Sequence, residues 1–252
     1  NQGKYIFAQL TDFLPRRVFD RLATKYSGNK KVRTFTCWNQ MMCMIFGQFT
    51  GRESMRDFML CLEAHSNKYI ILEIRNNINL GKVNQNRNYR IFEEFTCILM
   101  NEAWQSCYKN DFEVQVDGNV YAFDSSTIDL CLSVFWWAEF RKYKGGKSFT
   151  TCKNLQQVSH KFFKWIKQHL KVKSFWRTSI NAVKIQVYCA IITYCLVALV
   201  AYKLKVNRPI YEILQILSFS LLDKSSEERD LANTITKIVK ELNYKQLKIS
   251  WD

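Results

Sequence analysis

Ile185 to Leu204 is almost continuously apolar, broken by Gln186, Tyr188, Thr193, Tyr194 and Tyr202. A run of about 20 such residues has two uses, a helix that spans a bilayer or a helix buried on every side in a protein core. No second span accompanies it, and the N-terminus lacks a basic region followed by an apolar signal core. A core helix is therefore expected, with a small membrane-associated helical protein anchored by 185–204 as the alternative.

Composition suits such a core. Of 252 residues, 48% are apolar and 15% aromatic, enough to bury a sizeable interior in one domain or two. Two prolines and eight glycines favour long helices over a strand-rich sandwich. Nine cysteines, none in a CxxC pair and most within apolar runs, read as small buried hydrophobes in a reducing cytosol. The net charge of +15 repels itself unless something offsets it, which points to a polyanionic partner, nucleic acid or an anionic membrane face. No small-molecule substrate is expected.

Along the chain, Pro15 stands where a first helical turn would begin, and Val18, Phe19, Leu22 and Tyr26 recur at helical spacing beneath a basic outer side of Arg16, Arg17, Arg21 and Lys25. Trp38, Met41, Met42, Ile45, Phe46 and Phe49 form a second apolar stripe that Thr50-Gly51-Arg52-Glu53 breaks. Ser54 caps a further helix through Met55, Phe58, Met59 and Leu62, with Arg52 and Arg56 near its start. Two short helices about a Gly-bearing turn read either as a helix-turn-helix, whose second helix meets DNA, or as a plain helical hairpin. Residues 66–83, with Asn76, Asn77 and Asn79 crowded together, read as a connector. From Asn88 a helix resumes, with Ile91, Phe92, Phe95, Ile98, Leu99 and Ala103 inward, and should stop near Asn110. Pro209 opens a helix with Ile210, Ile213, Leu214, Leu217 and Leu221 inward. Ser225 and Glu228 form a capping-box start for a last helix through Leu231, Ile235, Ile238, Val239 and Leu242.

Between these helical parts lies the chemistry. Phe112 to Val116 alternates, Asp117-Gly118 signals a hairpin, and Val120 to Phe123 returns to deliver Asp124 to the polar break Ser125-Ser126-Thr127. An acid ending a strand either caps a turn or stands at a sheet edge where a divalent metal reaches it. Arg141, Lys142, Lys144, Lys164, Lys167, Lys171, Lys173 and Arg177 then belong to a basic run interleaved with aromatics such as Phe140, Tyr143, Trp165 and Trp176. Such a run reads as a solvated face or, with cations for phosphates and rings to pack or stack, as a DNA-binding segment.

Phe123-Asp-Ser-Ser-Thr-Ile-Asp-Leu-Cys-Leu132, followed by Ala138-Glu-Phe-Arg-Lys-Tyr-Lys-Gly-Gly146, resembles the first catalytic strand of DDE-type insertion-sequence transposases, the insertion-sequence-four family. Asn39 to His65 and Asn84 to Phe95 are similar to the helical N-terminal domain of that branch, which implies contact with element-end DNA. The resemblance implies a ribonuclease-H-like core in which two Asp and one Glu hold two magnesium ions for strand cleavage and joining, with Asp124 as the first Asp. Phe162 to Leu170 resembles the last catalytic helix, and Lys167 aligns with its motif Lys. Lys153, Gln156 and His160 then stand where the family has Tyr, Arg and Glu. His160 binds metals as a neutral imidazole and does not replace a hard anionic oxygen ligand. Gly145-Gly146 and Phe162 are separated by a short segment without Asp or Glu, so the second Asp has no counterpart.

The resemblance thus implies an internally deleted transposase copy of a mobile element, α+β and mostly α-helical, cytoplasmic and nucleoid-associated, with no magnesium bound productively. Expected divisions are a helical N-terminal domain at 1–110, the remnant of the catalytic domain at 111–224 and a C-terminal helix at 225–252. In the family, Asn181 to Gln186 opens a helix that packs on the sheet; a helix deprived of that sheet would bare an apolar face and self-associate. A helical interaction protein with no nucleic-acid role is a further reading.

Overall fold

The computed structural model describes residues 4–52, 54–64, 80–103, 105–106, 127–130, 139–141, 146–150, 175–206 and 208–225. In chain order these form β1 (Lys4–Tyr5), α1 (Ile6–Thr11), α2 (Arg16–Lys25), α3 (Cys37–Phe49), α4 (Met55–Ala64), α5 (Leu80–Asn86), α6 (Arg90–Ala103), β2 (Thr127–Leu130), β3 (Glu139–Arg141), β4 (Gly146–Thr150), α7 (Ile180–Lys203), α8 (Ile210–Ser220) and β5 (Lys224–Ser225). The described chain is mostly helical.

The apolar run becomes α7. Ser179 caps it by accepting from the Ala182 amide at 3.3 Å, and Lys203 sits in its last turn, where a cation suits the helix dipole. An 18-residue window of α7 has a mean hydropathy of 2.0, long and apolar enough to cross a membrane, yet 89% of that window is buried in protein. Its polar interruptions find partners there. Gln186 Oε1 accepts from the Trp176 amide at 3.0 Å, the Tyr188 hydroxyl donates to Glu93 at 2.6 Å, and the Thr193 hydroxyl donates back to the Cys189 carbonyl at 2.8 Å. A buried polar group without such a bond would be costly, so these pairings are what let a helix of this composition lie inside.

α7 packs against α6, α3, α5, α8 and α1. Among the described residues it is helices that cover α7, where packing on a sheet was the expectation. The membrane-anchored alternative is not favoured by the same burial. Residues on both sides of the expected boundary at 110/111 share one core, from Ile6 and Phe7 through Phe46 and Phe95 to Leu196 and Leu217. Two distant segments also meet, since β1 pairs antiparallel with β5, Lys4 opposite Ser225.

α3 exceeds the stripe expected of it. Thr36 and Asn39 form a capping box, and every residue from Cys37 to Phe49 except Gln48 is buried. A stripe marks one contact; α3 has them all round, with α2, α7 and α8 against it. Phe19 of α2 knits the layers, its ring centroid 5.6 Å from Trp38, 5.9 Å from Phe92 and 5.0 Å from Phe95. Three features differ from expectation. α5 begins at Leu80 inside the expected connector, because Leu80 and Asn84 are buried one turn apart. Ile98 on α6 is 40% exposed, lying off the buried stripe, while the expected stop near Asn110 lies outside the described residues. Thr127, expected in a polar break, opens β2.

β2, β3 and β4 make a three-stranded antiparallel sheet in the order β2-β4-β3. The expected hairpin of 112–123 and the last helix after Ser225 lie outside the described residues.

Candidate nucleic-acid interface

α3 ends at Phe49 with Thr50 as its C-cap, and Gly51 takes a positive φ of 61°, a conformation that suits glycine and reverses the chain within a few residues. Ser54 then accepts from the Asp57 amide at 3.0 Å and starts α4. Arg52 in the turn and Arg56 in the first turn of α4 are both exposed.

Trp176, just before α7, secures this turn from a distant part of the sequence. Its indole Nε1 donates to the Arg52 carbonyl at 3.3 Å, and its ring lies 5.1 Å from that of Phe58. Gly47 makes room for it: a Cβ there would fall 2.4 Å from the Trp176 ring. The next residue, Arg177, is exposed and lays its guanidinium against Gly81, where a Cβ would come within 2.4 Å of Arg177 Nε. One buried ring thus couples Arg52, from the helical turn, to Arg177, from the end of the basic run. The sequence offered these as two separate basic features. Trp176 packs inward at 8% exposure and is a structural anchor, not a stacking platform.

Behind this surface, Arg87 is a cation of a different kind. It is 8% exposed, donates to the carbonyls of Phe35 and Thr36 and to Gln40 Oε1, and its guanidinium lies 5.5 Å from the Phe35 ring centroid. Burial pushes its pKa down, and the neighbouring Cys37 and Cys43 push it the other way. Its fork is spent on protein carbonyls, so it serves the fold.

Arg141 lies in β3, its backbone opposite Gly146. Asp124, His160, Lys142, Lys144, Lys164, Lys167, Lys171 and Lys173 lie outside the described residues. Among the described residues no three His, Cys, Asp or Glu come together to hold a metal. The sheet register does place Asp129 and Glu139 opposite the same residue, Ser148, although ten positions separate them in sequence.

Residues 2–74 match the family described as Domain of unknown function (DUF4372). The matched segment holds α1 to α4 and with them Arg52 and Arg56. Over 70 residues the chain is 37% identical to a Sinorhizobium fredii protein (strain NBRC 101917 / NGR234) named "Putative transposase y4zB", a match covering 28% of this chain and 18% of that relative. The chain therefore spans under a fifth of the length of the curated relative it matches. No solved structure matches it.

Proposed function

We propose that this chain is a transposase-related, DNA-binding protein of a mobile element, and that it does not itself cut DNA. The observation that carries the reading is the coupling of Arg52 and Arg177 through Trp176, which sets cations from two distant parts of the chain on one rigid support. The likeness of one segment to a relative named as a transposase and the charge of +15 support it. In this reading α3 and α4 act as the helix-turn-helix, Arg52, Arg56 and Arg177 grip phosphates, and Lys142, Lys144, Lys164, Lys167, Lys171 and Lys173 extend the grip.

The finer assignment is to the DDE type, insertion-sequence-four family, with an interrupted ribonuclease-H-like domain at 111–224 and a cytoplasmic, nucleoid-associated location. Two magnesium ions, which in that family supply the activation of the attacking oxygen and the stabilisation of the leaving one, need several carboxylates around them. A donor set of Asp124 with His160 does not fit that need, and no catalytic step is derived through the metal.

The test is equilibrium binding of the full chain to a DNA duplex across a potassium chloride series. Affinity that falls steeply with salt is expected, and Arg52→Gln with Arg177→Gln should flatten the dependence by about 1.8 in log–log slope, near 0.9 for each phosphate contact. An isotherm that ignores salt would overturn the reading.

A further inference from the structure

The geometry points to a second phosphate-gripping surface, built by the loop 27–34 with the outer side of α2 and separate from the Arg52–Arg177 turn; it rests on the DNA-binding reading above. Between Arg16 and Arg33 the chain carries seven Lys or Arg and one acid, Asp20. Arg16 lies 3.9 Å from Asp20, and Lys25 pairs with Glu94 at 2.8 Å. Arg17, Arg21, Lys30, Lys31 and Arg33 are exposed and have no acidic partner among the described residues. Arg17 and Arg21 stand one turn apart on α2, a like-charge spacing that weakens a helix unless an anion lies across it.

The loop is held rather than loose. Ser27 and Lys31 take positive φ values of 51° and 61°, a region non-glycine residues seldom enter unless their surroundings impose it. Those surroundings are visible. The Gly28 amide donates to the Ala23 carbonyl at 2.8 Å, the Lys30 amide to Ser27 at 3.1 Å and the Val32 amide to Asn29 at 3.1 Å. Asn29 Oδ1 accepts from the Cys37 amide at 2.8 Å. Gly28 sits so tightly on α3 and α6 that a Cβ would fall 2.4 Å from Ile91 and 2.6 Å from Cys37 Sγ. At the far end, buried Arg87 grips the Phe35 and Thr36 carbonyls. α2 bears on the same end of α3, with the Arg16 guanidinium 5.2 Å from the Trp38 ring centroid. Loop and helix are therefore fixed against one support, and cations carried on a held backbone suit the regular phosphates of duplex DNA, which position a protein without reading sequence.

An anionic membrane is the competing polyanion, but a membrane-binding surface sets apolar side chains beside its cations. The large hydrophobics exposed among the described residues, Leu60, Ile98, Ile180, Tyr202, Tyr211 and Phe219, all lie outside α2 and this loop.

The experiment uses the full chain and a DNA duplex of arbitrary sequence, with fluorescence anisotropy read across a potassium chloride series. The triple variant Lys30→Gln, Lys31→Gln, Arg33→Gln should keep its circular dichroism and thermal midpoint and lower the log–log salt slope by about 2.7, at roughly 0.9 per lost contact. The pair Lys30→Arg, Lys31→Arg should keep the parent slope. A triple variant that folds and retains the parent slope overturns the inference. If that happens while Arg52→Gln with Arg177→Gln still flattens the slope, the DNA-binding reading survives alone. A parent chain with no salt-dependent DNA affinity overturns both. Capture by phosphatidylglycerol vesicles that the triple variant loses, with DNA affinity unchanged, assigns the surface to a membrane and overturns the inference.

Discussion

Arg87 carries a full charge into a region where few water molecules reach, and the fold tolerates it because three oxygens meet its fork. Arg87→Met removes a donor from each of those oxygens and should destabilise the chain by about 2–4 kcal/mol, seen in urea unfolding. Arg87→Lys should recover little, since an ammonium cannot reach along two carbonyls at once. The buried thiols are a second residue-scale case. Burial holds Cys43 and Cys189 far above the usual thiol range, and Cys37 and Cys97 above it. The thiolate is the reactive form, so Cys43 and Cys189 should resist alkylation at neutral pH until the chain unfolds, as site-by-site mass mapping would reveal. Glu94 supplies a pH effect. Hydrogen bonds from Lys25 and then Tyr26 hold its carboxyl below the ordinary value of 4.5, so the stability it contributes is complete above that value and is lost as pH falls through its folded pKa. The pair is exposed, so Glu94→Gln should flatten the acid side of a stability–pH curve only slightly.

At the scale of elements, α7 and α2 are joined through α6. Phe19 meets Trp38, Phe92 and Phe95 edge-on, an arrangement that aromatic rings prefer. Phe19→Ala should cost about 3–5 kcal/mol, because three rings cannot close over the gap. The turn between α5 and α6 is tied to α7 by Asn181, whose amide donates to the Asn84 and Arg87 carbonyls and whose Oδ1 accepts from the Tyr89 amide at 3.2 Å. Gly47→Ala belongs at this scale too, since the added methyl would push Trp176 out of its seat and with it the link between the α3–α4 turn and α7. A loss of about 1–3 kcal/mol is expected, with a weaker DNA affinity accompanying it; unchanged affinity in a folded variant would separate Trp176 from the interface.

For the whole molecule, the shared core predicts that the first 110 residues do not stand alone. α7 and α8 cover α3 and α6, and a chain ending at residue 110 would expose those apolar faces. Broad, non-cooperative unfolding and dye binding are expected of it; a sharp transition would show that the N-terminal helices fold independently. The full chain should show no strand cleavage or joining with magnesium or manganese. Activity that Asp124→Ala abolishes would reverse that expectation and make Asp129 and Glu139, brought opposite Ser148 by the sheet, the next acids to substitute.

Local pattern determined much of this. The periodicity of α2, α4, α6 and α8, the cap at Ser54, the break at Gly51 and the interior character of 185–204 follow from spacing and turn chemistry, which neighbours in sequence alone impose. Tertiary structure decided what depends on distant partners. The all-round burial of α3, the start of α5 at Leu80 and the closure of β1 on β5 exist because other elements supply the covering surface or the hydrogen bonds. Trp176 shows the difference most clearly: beside a run of cations it reads as a ring for a ligand, and only the vacancy at Gly47, the Phe58 ring and the Arg52 carbonyl, more than a hundred residues away, turn it inward. No window of sequence contains both halves of that contact.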